Sequence, residues 1–171
     1  DILIGGDLNS QYNQKLRYRD MKTTAINDVL RSQGNELALR GPQRDLYNLW
    51  HELPREQRGS DTWRGEWGTL MHLIVSRGLY DQRGVQYVDN SFSVGRFPDL
   101  NTDGAGLPRR WNGDTPQGSG FSDHFPIAAR FTIAEAERML LVAVAAAEDE
   151  AGDAARERFL VKTRDPARDS A

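Results

Sequence analysis

Asp1-Ile2-Leu3-Ile4-Gly5-Gly6-Asp7-Leu8-Asn9 opens the chain, and its reading decides the architecture. Ile2, Leu3 and Ile4 form a short apolar run that predicts a buried strand. Gly5-Gly6 predicts a tight turn after it, which would expose Asp7 and Asn9 at the strand tip. A carboxylate placed there can orient or deprotonate a water. A carboxamide can hydrogen-bond an anionic oxygen without adding negative charge. Asp and Asn are also ordinary turn formers, so this segment alone leaves a plain strand-to-turn reading open.

Outward from that stretch, Leu70 to Ser76 predicts a second buried strand and Val85 to Val94 a third. Phe125 to Phe131 alternates as a closing strand, and Ser122-Asp123-His124 stands at its entrance. His124 can donate to a non-bridging phosphate oxygen, while Asp123 can bind a metal or fix the loop; a turn with a satisfied histidine is the bland alternative. A Ser-His-Asp relay is excluded on the expectation that adjacent residues cannot build it. Between these strands, Asp20 to Leu39 has a helical rhythm with Ile26, Val29 and Leu30 on one face. Leu46 to Trp50 reads as a short helix or strand, Arg55 to Ser60 as an exposed loop, and residues 95–120 as a long irregular loop rich in Gly and Pro.

The 171 residues suggest one domain with an appendage. Acids and bases balance over residues 1–133, so the net charge of −3 resides in residues 134–171. A neutral body lacks the basic excess of a general nucleic-acid binder, yet its basic residues are nearly all Arg, whose planar fork suits phosphate. No cysteine is present, which excludes disulfides and thiolate metal sites and leaves the compartment open. Thr132 to Glu135 fits a capping box and predicts a helix over residues 134–160. Met139 to Ala147 is apolar but too short to span a membrane.

Three blocks then occur in order: Gly6-Asp7-Leu8-Asn9; Thr62-Trp63-Arg64-Gly65-Glu66-Trp67 leading into Leu70-Met71-His72-Leu73-Ile74-Val75-Ser76; and Ser122-Asp123-His124-Phe125-Pro126-Ile127. In these the chain resembles the endonuclease/exonuclease/phosphatase family, its deoxyribonuclease and abasic-endonuclease branches included. The resemblance implies an α+β fold, a four-layer α/β/β/α sandwich with two facing β-sheets and outer helices, of which this chain would be the C-terminal half. Residues 1–133 would be that partial domain and residues 134–171 a helical, partly disordered tail. It also implies a divalent-metal-dependent phosphoesterase, a nuclease or phosphatase, using Mg²⁺ (or Mn²⁺/Ca²⁺) on a nucleic acid or small phosphorylated molecule. Asp7 would activate the water and share the metal with Asp123, Asn9 would hold the phosphate, and His124 would stabilise the transition state.

Arg64 and Trp67, with Trp63, combine a guanidinium with aromatic faces able to grip a base or sugar-phosphate, packing beneath the loop being their plainer role. Arg109 and Trp111 lie in the long loop, where recognition residues concentrate. Two departures stand out. The family's first half, with its Asn and metal-binding Glu, is not in this sequence, which implies a missing N-terminal half or an assembly partner. Met71 replaces the Asp that orients the catalytic imidazole, which predicts a weakened His124 unless Asp61, His72 or Glu66 compensates. The rival reading is a catalytically impaired binding module that recognises a phosphorylated partner.

Overall fold

The computed structural model describes residues 1–40, 45–111, 120–133, 138–147 and 156–164. Its strands in chain order are β1 (Leu3–Asp7), β2 (Ser32–Gln33), β3 (Leu46–Asn48), β4 (Asp61–Trp63), β5 (Glu66–Gly68), β6 (Met71–Val75), β7 (Val85–Tyr87), β8 (Ser93–Val94), β9 (Ile127–Ile133), β10 (Arg138–Ala147) and β11 (Arg156–Arg164). One four-residue α-helix, α1 (Gln14–Arg17), is accompanied among the described residues by four 3₁₀ turns and one π turn. The chain is therefore of mixed α+β character, with the sheets dominant among the described residues.

β6 organises the first sheet because Met71-His72-Leu73-Ile74-Val75 buries all five side chains, as a strand covered on both faces must. The sheet order is β1-β6-β3-β2, with β6 antiparallel to both neighbours. The second sheet runs β11-β10-β9-β7, with β8 also paired to β9. β9 alternates strictly: Ile127, Ala129 and Phe131 point inward while Arg130 and Thr132 point out. Met71, Leu73 and Val75 share one core with Ile127, Ala129, Phe131, Tyr87, Leu49 and Trp50. The sheets thus face one another across that core, β6 lying against β9 and β1 against β10. Trp50 is fully buried there because its indole N–H donates to the Met71 carbonyl at 2.7 Å.

Several expectations are corrected. The strand of Ile2 to Ile4 is not buried: Ile2 and Leu3 are exposed, since β1 is an edge strand. Gly5-Gly6 is not a turn, because β1 continues through both glycines to pair Gly6 with His72 and Asp7 with Met71. The helix over residues 20–39 shrinks to a π turn at Ala25–Val29 and a 3₁₀ turn at Glu36–Arg40. Of its three apolar face residues only Ile26 is buried, and one anchored residue cannot hold a long amphipathic helix. The third strand divides into β7 and β8 around a turn at residues 88–92.

The helical tail is likewise replaced by strands. Thr132, the expected cap, lies inside β9 and pairs with Gln86 and Met139. Arg138–Ala147 extends along β9, and Arg156–Arg164 folds back on it to continue the sheet. A continuous apolar run such as Met139 to Ala147 fits a strand as well as a helix, and an unpaired edge of β9 supplies the hydrogen bonds that decide it. The remaining tail residues, where disorder was expected, lie outside the described residues.

Candidate active site

β1 ends at Asp7, and the backbone then turns sharply: Asp7 Oδ1 accepts the Asn9 N–H at 2.8 Å, and Asn9 adopts φ of 49°. Asn is among the few side chains that tolerate this left-handed region, which is why it can occupy the tip. The loop is stitched down by Leu8 N–H to the Leu70 carbonyl and by Tyr12 N–H to Thr69 Oγ1. Asn9 itself remains exposed.

His124 arrives from the opposite direction, just before β9. Its Nε2 lies 3.7 Å from Asp7 Oδ2, too long for a hydrogen bond but close enough for strong charge coupling. That Nε2 is buried and has no hydrogen-bond partner. Its Nδ1 is 2.8 Å from Asp123 Oδ1, so the adjacent residues do form a carboxylate–imidazole pair. Ser122 Oγ does not join a relay; it accepts the His124 backbone N–H at 3.1 Å.

The β4–β5 hairpin supplies the next carboxylate. Its two-residue turn has Arg64 at φ of 51° and Gly65 at 85°, the conformation that matches strand twist. Asp61 pairs with Gly68 on one side and bridges His124 on the other, while Phe125 N–H donates to the Ser60 carbonyl at 2.6 Å. Directly opposed residues in such a pairing carry their side chains on one face. Asp61 is buried, and its Oδ1 accepts from Ser60 Oγ and Leu70 N–H, each at 3.2 Å.

Electrostatics follow from this placement. Burial is the largest single influence on the His124 imidazole and pushes its pKa down. The Asp123 hydrogen bond and the charges of Asp123, Asp61 and Asp7 together outweigh it, so the net shift is upward. Asp123 is held below the usual carboxylate range chiefly by its hydrogen bond from His124, with Arg110 adding to it. The premise that Met71 leaves the imidazole without a carboxylate is therefore corrected. Met71 is core, and of the proposed substitutes only Asp61 is near the ring. Glu66 pairs with Arg17 at 2.9 Å, and His72 bonds Ser10 and Asn48.

Beside Asp61 a cavity of about 420 Å³ opens between the hairpin and α1, lined by Arg17, Tyr18, Trp63, Arg64 and Trp67 among others. Trp67 forms a wall rather than a free platform, stacked on Phe125 at 6.1 Å and covered by the Arg96 guanidinium at 4.4 Å. Trp63, at 67%, and Tyr18 are the exposed aromatics of this lining. Across the hairpin, Arg64, Arg109 and Arg110 line a second cavity of about 400 Å³. Trp111 is exposed and lines neither. Arg96 carried no signal in the sequence; only the packing reveals it.

The metal expectation finds little support. Among the described residues no three His, Cys, Asp or Glu groups assemble as a metal site. Asp123 Oδ1 is paired with His124 and Asp7 Oδ1 accepts the Asn9 N–H, so both expected ligands also hold the local structure. Among the described residues these groups do not by themselves make a Mg²⁺, Mn²⁺ or Ca²⁺ centre. A family model described as Endonuclease/Exonuclease/phosphatase family matches residues 1–132. No curated protein and no solved structure matches the chain.

Proposed function

The chain belongs to the endonuclease/exonuclease/phosphatase family, whose members are generally phosphoester hydrolases that typically use divalent metals, and on that premise we propose that it carries the hydrolytic face of such a site. The observation that supports this most is the unpartnered, buried Nε2 of His124 facing Asp7. Flanking carboxylates favour the protonated imidazole, whose Nε2 N–H then faces developing negative charge. Asp7 takes a proton from water, whose oxygen forms the new bond to phosphorus as the ester oxygen departs. Asn9 holds a non-bridging oxygen through its amide, and His124 stabilises the transition-state charge. Asp123 orients the ring rather than ligating a metal. Arg64 and Arg109 contact flanking phosphate, Trp67 shapes the cavity wall, and Trp111 contacts substrate from the long loop.

The four-layer sandwich, with this chain as its C-terminal half, belongs to the same proposal. Its support is that β1 lies at the sheet edge among the described residues, with Ile2 and Leu3 exposed where further strands would add. Missing metal donors would come from those strands or from a partner. The cavity lined by Arg64, Arg109 and Arg110 also suits one second reading, a binding module of the same fold that recognises a phosphorylated partner.

Hydrolysis of a nitrophenyl phosphodiester, plasmid DNA and inositol phosphates, with Mg²⁺ and with chelator, decides between them. His124→Ala should abolish turnover. Asn9→Gly, which keeps the left-handed backbone, should lower it by about 2 to 3 kcal/mol of transition-state stabilisation. Saturable phosphate-dependent binding with no turnover in any condition would replace the hydrolase with the module.

A further inference from the structure

We propose that His72 is a positioning residue for the loop that carries Asp7 and Asn9, acting through the carbonyl of Ser10; its meaning for catalysis rests on the roles given to those two residues above. His72 sits on β6 opposite Gly6, with its side chain fully buried. Its Nε2 lies 2.7 Å from the Ser10 carbonyl oxygen, which can only accept, so Nε2 carries the proton. Its Nδ1 lies 3.0 Å from Asn48 Nδ2. Asn48 Oδ1 accepts the Trp50 N–H at 3.2 Å, which orients that amide and makes Nδ2 the donor. Both ring nitrogens are therefore committed, and the imidazole is locked as one neutral tautomer. Burial, the largest cause, holds its pKa down to about 4, in keeping with that state.

The Asn9 side chain is exposed, so its placement follows from the backbone on either side. On one side the Asp7 carboxylate receives the Asn9 N–H, and on the other the Ser10 carbonyl is drawn onto the ring. Farther along, Gln11 Oε1 accepts from both the N–H and the hydroxyl of Thr69. His72 thus joins the loop tip to β6, and through Asn48 to β3 and the buried Trp50. A residue with no donor at this point would leave the Ser10 carbonyl without its partner and free the tip to shift. Displacements of about 1 Å at a reacting centre cost roughly 10²-fold in rate.

The test compares the full chain with His72→Phe, His72→Gln and Asn48→Ala. Amide hydrogen exchange is read at residues 8–12 and 127–133, alongside kcat and KM on a nitrophenyl phosphodiester. His72→Phe should speed exchange in the loop by about fivefold, the worth of one net hydrogen bond, and leave β9 unchanged. It should lower kcat by about 10- to 100-fold with little change in KM, and His72→Gln, which keeps a donor, should restore most of both. Unchanged loop exchange in a folded His72→Phe protein, or faster exchange with kcat unaltered, overturns the proposal. If the Phe variant does not fold, His72→Met, which also lacks a donor, stands in for it under the same criteria, and Asn48→Ala, which leaves the Nε2 donor in place, should loosen the loop less than either. A parent protein that hydrolyses nothing while its loop still loosens on His72→Phe supports the structural clamp and sinks the hydrolase reading instead.

Discussion

Gly68→Ala is the substitution whose outcome the geometry constrains most tightly. Gly68 does not adopt a left-handed backbone, so alanine there is conformationally permitted and would ordinarily stabilise by about 0.4 to 1 kcal/mol through the unfolded chain. Contact reverses the sign. A Cβ at position 68 would lie 2.0 Å from Asp61 Oδ2 and 2.7 Å from its Cγ. The Asp61 carboxylate must swing away, releasing Ser60 Oγ and the Leu70 N–H. Each hydrogen bond to a charged group is worth about 1.5 to 3 kcal/mol, so a net loss of roughly 2 to 5 kcal/mol is expected after the chain-entropy gain. That is a large fraction of a domain's stability, about 5 to 15 kcal/mol.

The assay is a denaturant-unfolding double-mutant cycle with Asp61→Ala. If the collision is the cause, Gly68→Ala becomes neutral or mildly stabilising once the carboxylate is gone, giving a coupling of about 2 kcal/mol or more. Gly65→Ala is the internal control. Nothing lies within 4 Å of its added Cβ, and its φ of 85° makes the cost conformational and independent of Asp61. Equal destabilisation by Gly68→Ala in both backgrounds would refute the reasoning.

Two pH predictions accompany it. The Asp123–His124 pair stabilises the fold above the ordinary carboxylate value of 3.8 and below the raised pKa of His124, which lies above 6.5. Its contribution is lost as pH falls through the depressed Asp123 pKa or rises through that of His124. Asp123→Asn should cost about 1 kcal/mol inside that window, discounted because the carboxylate is one-third exposed, and its His124 resonances should titrate at lower pH. Glu52 behaves oppositely: burial, the largest cause, raises its pKa from 4.5 to about 7, although Tyr87 donates to it at 2.5 Å. The folded state then holds a proton that the unfolded chain has released, so stability should fall between pH 4.5 and 7. Glu52→Gln should flatten that slope in thermal melts, and a parent slope of the opposite sign would exclude the buried carboxyl as its source.

What the sequence showed and what it hid divide along physical lines. Met71 to Val75 and Ile127 to Phe131 were legible because covered strands must be apolar or alternate, whatever surrounds them. The expected meeting of Asp7 with His124 also appears, since β1 and the entrance to β9 flank the same hairpin region. The helices were misjudged where periodicity was weak: Val29 is exposed and Leu30 only half-buried, and Met139 to Ala147 finds a sheet edge that no local signal announces. For Trp67 the sequence left both a substrate contact and packing beneath the loop open; it packs on Phe125 and Arg96, a relation between residues remote in the chain. Met71 looked like a lost carboxylate. The imidazole instead draws on Asp123 beside it and Asp61 across from it, which requires knowing the strand register.

That register makes the candidate site sensitive to one seam. Ser60 and Asp61 tie β4 to the backbone of His124 and Phe125, while Arg96 donates to the Gly59 carbonyl at 3.0 Å and covers both Trp67 and Phe125. The Asp7 loop is fastened separately, to Leu70, Thr69 and His72 on the strand that follows the hairpin. Residues 59–72 therefore hold both halves of the site at once. A change within this segment should alter the Asp7–His124 separation, whereas a comparable loss of stability elsewhere, in β7 for instance, should leave it intact. Catalytic and thermodynamic damage would then separate by position: variants of matched stability should differ in turnover according to whether they fall on that segment.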